Sequence, residues 1–441
     1  MELFYVNALL YVMWAIWAYL HRRENSTFYL VAICMYAIVA CMGAYIFEVK
    51  IYQNDIPDHR GVEYLSYIPY LLMFIMMFGI ITPIKNIRPF EIGWKDAYLN
   101  RISNIFMVIQ IVYIILFLHG FPFGSSTDLG DAYHMSTSGD LALRFRSDTE
   151  MVVYKIFRRL SICIGPIFFY LQFARIVKNK KSLISLIYIA ISFGTNIIPA
   201  ILTGSRGSMF FNLVAMFFIY TIFHSSIPVK VRKRIYAVAI GFLGILIFYA
   251  IAISVARTKG DSDMAYERIF RYFGEPFVNL GLVYWDATDM HTYGLRFFPG
   301  AAGLVGLELP DAKYGIDAMR EFWSKIYGVN MYYFKTLFGD LYLEFGVAGA
   351  FIVAGVLSGL AVLFKKVKNP LLYHFFFYNY VRGVILWGIF GFGVLQSFCI
   401  DFGYAIVFWI IFSKISNSSR TGKIIKETES DTVENKDDAE K

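Results

Sequence analysis

The chain has 441 residues, of which 58% are hydrophobic and 17% are charged, and its formal net charge is +8. So many apolar residues and so few charges exclude an ordinary soluble domain. The basic residues lie in short loops beside apolar segments, so the positive net charge does not indicate a nucleic-acid-binding protein.

Apolar segments of about 20 residues, the length that crosses a bilayer, follow one another along most of the chain. The sequence predicts an all-α polytopic membrane protein with about eleven transmembrane helices. The predicted helices cover residues 3–20, 28–48, 63–84, 102–120, 158–176, 183–203, 208–224, 235–256, 338–364, 371–391 and 399–416.

Basic residues distinguish the two sides of the predicted membrane domain. Five short loops on one side hold 16 lysines and arginines, and four short loops on the other side hold 5. Loops rich in Lys and Arg stay in the cytoplasm, so we expect the N-terminus outside and the C-terminus inside. The basic loops are 21–27, 85–101, 177–182, 225–234 and 365–370, and the opposite loops are 49–62, 121–150, 204–207 and 392–398.

This topology divides the chain into four parts. The first eight helices lie in residues 1–256, and a long extracytoplasmic loop with amphipathic helices covers 257–337. The last three helices lie in 338–416. Residues 417–441 are too polar to bury a core, and we expect them to form a disordered cytoplasmic tail. The loop 257–337 is too long to be a passive connection, so we expect it to carry function.

The turn Gly204-Ser205-Arg206-Gly207 is the first group of candidate functional residues, on the outer side between two predicted spans. Its glycines permit a tight turn with open backbone N–H groups, and Arg206 can hold a phosphate through two hydrogen bonds. The alternative is an arginine that extends to the lipid headgroups.

A second group of cations follows the eighth predicted helix. Their clustering suits a pyrophosphate, and they are Arg257, Lys259, Arg268 and Arg271. Tyr272 and Glu275 share the polar face of a predicted amphipathic helix with the two last arginines. The alternative is a solvated helix face, because acidic residues balance the cations at Asp261, Asp263 and Glu267.

The third group lies in the run from Asn330 to Gly349, where the long loop re-enters the membrane. Asp340 and Glu344 are four residues apart and share a helix face, and carboxylates inside a membrane are costly and often functional. A partly desolvated carboxylate can act as a general base. The alternative is that both acids pair with arginines and only hold the loop in place.

His291 and Arg296 lie deep in the long loop. A lone histidine is more often structural, but His291 remains a further candidate base. The four cysteines lie in apolar segments, and no motif has metal-ligand spacing. We therefore expect neither a metal nor another cofactor.

Taken together, these segments resemble the Wzy-type oligosaccharide repeat unit polymerases of the O-antigen and capsule pathways. The shared features are the G-S-R-G turn, an arginine after the following span, the long outer loop and the run N-x-Y…T…G-D-x-Y-x-[DE]-F-G-x-x-G from Asn330 to Gly349. The family has Asp before the closing Phe-Gly, where this chain has Glu344. The resemblance implies a GT-C-like helical fold in the bacterial cytoplasmic membrane.

The resemblance also implies a reaction on the outer face of that membrane, in which a glycan moves from undecaprenyl pyrophosphate to a second lipid-linked repeat unit. The implied base is Asp340, Glu344, Glu275 or His291, in that order. The pyrophosphate would contact Arg206, Arg257, Lys259, Arg268 and Arg271, and other substrate contacts would come from Tyr272, Asn330 and Tyr342. The resemblance allows a chain-length regulator as a partner.

Two other functions fit the same sequence features. An O-antigen ligase uses the same donor, and such ligases look to a histidine in the long outer loop, which His291 would supply. A transporter or flippase for lipid-linked glycans belongs to another class. The sequence has no internal repeat and no matching pair of broken helices, which are typical of transporters.

Overall fold

The computed structural model describes residues 2–51, 66–86, 96–121, 145, 147–178, 182–203, 216–224, 226–257, 262–285, 290–297, 299–310, 315–367, 377 and 380–391, some of them by their backbone alone. Every regular element in these ranges is helical. In chain order the helices are α1 (Glu2–Leu20), α2 (Thr27–Glu48), α3 (Ile68–Ile81), α4 (Asp96–Gly120), α5 (Asp148–Val177), α6 (Ser182–Leu202), α7 (Val229–Arg257), α8 (Ser262–Asn279), α9 (Pro299–Leu304), α10 (Gly315–Tyr327) and α11 (Thr336–Phe364).

Shorter helical pieces complete the described fold. Residues 216–223 are helical. A 3-10 turn, Thr82–Ile84, extends α3, and a π-helical turn, Leu280–Tyr284, extends α8. A second π-helical segment, Val381–Leu386, is followed by a 3-10 turn, Trp387–Ile389.

Five helices in the described part of the chain are long and apolar enough to cross a membrane, so this is a membrane protein. They are Leu3–Leu20, Thr27–Glu48, Leu99–Gly120, Leu183–Leu202 and Thr336–Phe364. The predicted spans at 63–84 and 158–176 correspond to shorter apolar helices, Ile68–Ile84 and Phe168–Val177. The predicted span at 399–416 and the tail 417–441 lie outside the described residues.

Helix α8 packs directly on α2 at a pair of glycines. A Cβ atom added to Gly274 would lie 2.6 Å from Met42 O, and one added to Gly43 would lie 3.2 Å from Phe277 Cβ. The ring of Phe277 also meets Tyr11 of α1 edge to face, with 5.7 Å between centroids. The second half of α8, which the sequence places in the outer loop, therefore lies among the apolar helices.

Helix α11 is folded back on itself at Gly346. Its φ of 68° and ψ of −175° are not helical, and only glycine adopts this conformation readily. The rings of Phe338 and Phe351 are 6.4 Å apart, whereas 13 residues of straight helix would separate their Cα atoms by about 20 Å. We call residues 336–345 the first limb and residues 347–364 the second limb.

The two limbs of α11 have different surroundings. Every residue from Thr336 to Glu344 is buried, so protein surrounds the first limb on all sides. The second limb exposes large apolar side chains, including Ile352 at 68% and Val356 at 58%, which is the surface expected of a helix that faces lipid. The sequence predicts one continuous span here, and the glycine at 346 changes it into a lipid-facing limb and an internal one.

The segment 380–391 lies between α2, α3 and the first limb. Tyr36 of α2 donates a hydrogen bond to Ile385 O at 3.1 Å, and Tyr380 donates to Ile80 O at 2.7 Å. Lys335 N–H donates to Phe390 O at 3.1 Å. These contacts fix the described part of the segment against α2, α3 and the residue that precedes the first limb.

Candidate functional site

Residues 290–297, which we call the outer segment, dock where α11 is broken. Tyr293 N–H donates to Glu344 O at 2.8 Å. Nδ1 of His291 lies 3.0 Å from Leu343 O, and it must carry the proton because a carbonyl only accepts. A side chain on Gly346 would meet the His291 ring at 3.1 Å. The long loop is thus attached to the apolar helices through carbonyl groups that the break leaves without helical partners.

Glu344 is the centre of this attachment. Its Oε1 accepts hydrogen bonds from Arg296 Nε at 2.6 Å and from Tyr327 at 2.5 Å. Its Oε2 accepts from Thr292 Oγ1 at 2.6 Å and from Gly294 N at 3.0 Å. Four donors occupy the usual accepting capacity of a carboxylate. Because Glu344 is also completely buried, its position is fixed by the outer segment and by the end of α10.

Arg296 joins Glu344 to Asp340. Its Nη2 donates to Asp340 Oδ1 at 2.8 Å, and both side chains are almost fully buried. Burial alone would lower the pKa of the Arg296 guanidinium, but the charges of Asp340 and Glu344 raise that pKa above its ordinary value. The guanidinium therefore stays charged, and its face lies 4.8 Å from the ring centroid of Phe297.

The second oxygen of Asp340 faces the backbone of Gly391. A Cβ atom at position 391 would lie 2.8 Å from Asp340 Oδ2, and Gly391 has a φ of 153°. A glycine is thus needed both for the backbone conformation and for the approach of the carboxylate. Asp340 is held between the outer segment on one side and residues 380–391 on the other.

Lys335 lies at the beginning of the first limb and is buried. Its Nζ donates to Met331 O and Tyr333 O, both at 3.2 Å, and lies 5.6 Å from the ring centroid of Tyr284. Burial lowers the pKa of Lys335 to about 7, although the nearby charge of Asp340 raises it. This lysine can therefore gain or lose a proton near neutral pH.

Glu275 of α8 belongs to the same buried region. It accepts hydrogen bonds from Arg271 Nε at 3.2 Å and from Asn279 Nδ2 at 3.0 Å. Asn279 also donates to Phe334 O at 3.2 Å, beside Lys335. Burial raises the pKa of Tyr284, and the charges of Glu275 and Asp340 raise it further. The tyrosine thus lies within the electrostatic influence of both carboxylates.

The described cluster has equal numbers of positive and negative groups when Lys335 is protonated. They are Arg271, Arg296 and Lys335 on one side, and Glu275, Asp340 and Glu344 on the other. Its cations are thus largely matched by carboxylates, so the cluster offers acid–base groups more readily than a site for a further anion.

The structure brings three of the four proposed bases into one buried region, since Asp340, Glu344 and Glu275 all belong to the cluster. His291 lies beside it, with one ring nitrogen bonded to the first limb. Asp340 and Glu344 both pair with Arg296 in this region. The sequence analysis left such pairing with arginines as the structural alternative to a catalytic role.

The proposed phosphate ligands are less fully described. Arg206 and Lys259 lie outside the described residues, and Arg257 and Arg268 are described by their backbone alone, in α7 and α8. Arg271 is paired with Glu275.

The three proposed substrate-binding residues have structural contacts. Tyr272 meets the ring of Phe334 edge to face at 4.9 Å. Tyr342 stacks on Trp285 at 4.9 Å. Asn330 Oδ1 accepts a hydrogen bond from Tyr332 N, as asparagine does in a turn.

Sequence reasoning missed several members of this site. It gave Arg296 no definite role, and it did not single out Thr292, Tyr327, Tyr284, Asn279 or Lys335. Lys335 could have been noticed, because it is a cation within the run from Asn330 to Gly349, directly before an apolar stretch. Thr292 and Tyr327 gave no comparable signal, because each is an ordinary residue of a long loop.

Comparison with protein family models, with curated proteins and with solved structures finds no match to this chain.

Proposed function

We propose that this protein polymerises undecaprenyl-pyrophosphate-linked oligosaccharide repeat units into a surface polysaccharide, on the outer face of a bacterial cytoplasmic membrane. The proposal includes eleven spans, a GT-C-like arrangement, an N-terminus outside and a C-terminus in the cytoplasm. The lipid-linked glycans and the bilayer would be its partners, and no metal would be needed.

One observation carries the proposal. The run from Asn330 to Gly349, on which the resemblance to the polymerases rests, folds into a buried, broken helix whose two acids meet Arg296 of the long loop. A membrane protein that buries three carboxylates and their partners incurs a large desolvation cost. Such a cluster beside a long loop suits a reaction whose substrates arrive from the membrane.

In the proposed reaction, an acceptor hydroxyl attacks the anomeric carbon of the donor glycan. A new carbon–oxygen bond forms, and the bond between that carbon and the pyrophosphate oxygen breaks. The lipid pyrophosphate leaves with the electron pair, and a carboxylate takes the hydroxyl proton. Cations near the leaving group would stabilise its developing charge, and one such donor is typically worth on the order of 10²–10³ in rate.

Asp340 is proposed as the base, because it stands first among the acids that the resemblance implies. Glu344 has four hydrogen-bond donors on its two oxygens, so it would have to lose a partner to accept a proton. Glu275 lies farther along α8, bonded to Arg271 and Asn279. The pyrophosphate would then be held by Arg206, Arg257, Lys259 and Arg268, with Arg271 as a further contact.

The glycan pattern of a deletion strain tests this function. Loss of a polymerase leaves single repeat units on the surface. Complementation with Arg206→Ala or Arg257→Ala should not restore polymer although the protein is in the membrane, and Arg→Lys should restore little, because lysine cannot form a bidentate contact. Arg320→Ala is a suitable control, because Arg320 forms an ion pair with its neighbour Asp317 on a partly exposed helix face. Normal polymer in the deletion strain would refute the proposal.

Transport of a lipid-linked glycan is a second candidate. The described chain contains two π-helical segments and a broken helix, and interrupted helices are typical of transporters. O-antigen ligation remains a third candidate function, in which His291 would be the histidine that such ligases use. In the same deletion strain, a transporter would leave the repeat units inside the cell, and a ligase would leave polymer that is not attached.

A further inference from the structure

We propose that Arg296 is a positioning residue, which sets the place of the Asp340 carboxylate and does not bind the lipid pyrophosphate. This inference rests on the proposed function, because it assigns a part in that reaction to a residue that never meets the substrate. Through the buried side chain of Arg296, the long loop would determine the position of the Asp340 carboxylate.

The guanidinium of Arg296 is directed at protein carboxylates. Its Nε and Nη2 point to two different carboxylates, at 2.6 Å and 2.8 Å, and its plane lies near the ring of Phe297. A pyrophosphate could reach this group only by displacing a carboxylate from a buried pair, which leaves an unpaired charge in the protein.

The local charge gives the second argument. One guanidinium lies between two carboxylates, so its immediate surroundings carry an excess of negative charge. An anionic ligand would be attracted by the single charge of Arg296 and repelled by the two charges of Glu344 and Asp340. The geometry thus suits the holding of a carboxylate and not the holding of a phosphate.

Glu344, the second partner of Arg296, is held rigidly. Glu344 is fixed by Thr292, Tyr327 and Gly294 in addition to Arg296. Arg296 therefore transfers a fixed position to Asp340 Oδ1, four residues earlier on the first limb. On the opposite side Asp340 Oδ2 meets the backbone at Gly391. The Asp340 carboxylate is thus bonded to Arg296 and lies close to a glycine backbone, and a small misplacement of a reacting group can cost about 10²-fold in rate.

The test uses the purified full chain in lipid nanodiscs with a lipid-pyrophosphate-linked repeat unit as substrate. Arg296→Gln should lower kcat by about 10²-fold, while the KM for the lipid-linked donor stays within about twofold, because donor binding would be unchanged. Arg296→Lys should recover part of kcat, since an ammonium can still contact Asp340 as a point charge. Arg320→Gln, on the partly exposed side of α10, is the matched control and should leave both constants unchanged.

Tyr327→Phe gives a second, milder variant that keeps every charge. It removes the hydrogen bonds of Tyr327 to Glu344 and to Thr292 and should lower kcat several-fold with an unchanged KM, in a protein whose melting temperature falls less than that of Arg296→Gln. This variant keeps the inference testable if Arg296→Gln does not fold.

Two results would overturn the inference and leave the proposed function intact. A raised donor KM with an unchanged kcat in Arg296→Gln would make Arg296 a phosphate ligand. Wild-type kcat per folded molecule in Arg296→Gln, or in Tyr327→Phe if Arg296→Gln is not folded, would make the arginine a purely structural link. A wild-type protein that forms no polymer would instead remove the proposed function, and this inference with it.

Discussion

Arg296 Nε lies 2.6 Å from Oε1 of Glu344, although the two residues are 48 positions apart in the chain. This contact joins the long loop to the first limb of α11, and it is completely buried. The loop and the membrane helices are therefore one structural unit at this point.

Replacement of Glu344 by glutamine should strongly destabilise the protein. The amide nitrogen cannot accept the hydrogen bonds that one carboxylate oxygen now receives, and Arg296 loses one of its two anionic partners. Removal of one partner from a buried ion pair costs about 3–5 kcal/mol. Thermal unfolding of the purified protein measures the loss. The control is Glu321→Gln, whose carboxylate pairs with Lys325 on the exposed face of α10, and a melting temperature of Glu344→Gln equal to that of this control would contradict the structural account.

Gly346→Ala should also be destabilising, by about 1–3 kcal/mol, because its φ of 68° and ψ of −175° suit glycine alone. The new methyl group would also meet Nε2 of His291 at 3.1 Å, so the outer segment should detach more readily. Hydrogen exchange of residues 290–297 measures that detachment. Gly355→Ala on the second limb adds a methyl group in open space and should be neutral or slightly stabilising. Equal stability of the two variants would show that α11 is not broken at Gly346.

Lys335 should make stability depend on pH in the neutral and alkaline range. Its pKa is about 7 in the folded protein, well below the ordinary value of 10.5. Between these values the unfolded chain binds more protons than the folded protein, so stability rises with pH, by at most about 1.4 kcal/mol per unit. Below pH 7 Lys335 is charged in both the folded and the unfolded state, and the full free-energy cost of burying its ammonium lowers the stability.

Lys335→Met removes this titration. The melting temperature of the wild type, relative to Lys335→Met, should therefore increase from pH 7 to pH 9.5. Lys325→Met, which removes an exposed lysine of α10, should track the wild type over the same range. Parallel curves for the wild type and Lys335→Met would contradict a lysine with a lowered pKa.

Topology is tested by cysteines placed at Ser262 and Ser419. In intact spheroplasts an impermeant thiol reagent should label Ser262→Cys and should label Ser419→Cys only after the membrane is opened. The unmodified chain, whose cysteines lie in apolar segments, is the background control. The opposite labelling pattern would place the long loop in the cytoplasm and remove an extracytoplasmic reaction.

Hydrophobicity predicts much of the fold, because length and apolar composition alone decide which helices can cross a bilayer. The five apolar helices of the described chain coincide with predicted spans to within a few residues at most ends. The bend of α11 was not predicted, since a glycine in an apolar run suggests close helix packing as readily as a break. The burial of α8 beside α2 depends on Gly43 and Gly274, which meet only in the folded chain.

The site was predictable only in part. Acids in an apolar segment are rare, so Asp340 and Glu344 could be selected from the sequence. Their common partner, Arg296, could not be selected from the sequence. Its pairing with both acids depends on how the outer segment folds back over more than 40 residues. The sequence offers several arginines of equal chemistry, and only the three-dimensional arrangement separates a buried partner from a residue that can meet a ligand.

The proposed role of Asp340 as base links the site to the proposed reaction. Asp340→Asn keeps the shape of the side chain but cannot accept a proton, and it weakens the buried pair with Arg296. The folded fraction of this variant should therefore bind the lipid-linked donor and form no polymer at any pH. Asp317→Asn, on the partly exposed side of α10, is the control and should retain activity. Turnover by Asp340→Asn close to that of the wild type would exclude Asp340 as the base.

The proposed polymerase activity is tested most directly by incubation of the purified wild-type protein, in lipid nanodiscs, with undecaprenyl-pyrophosphate-linked repeat units from its source organism. We predict a ladder of glycans of increasing length, with one lipid pyrophosphate released for each new linkage and no requirement for a nucleotide sugar or a metal ion. A folded wild-type protein that leaves these repeat units unchanged would contradict the proposed polymerase.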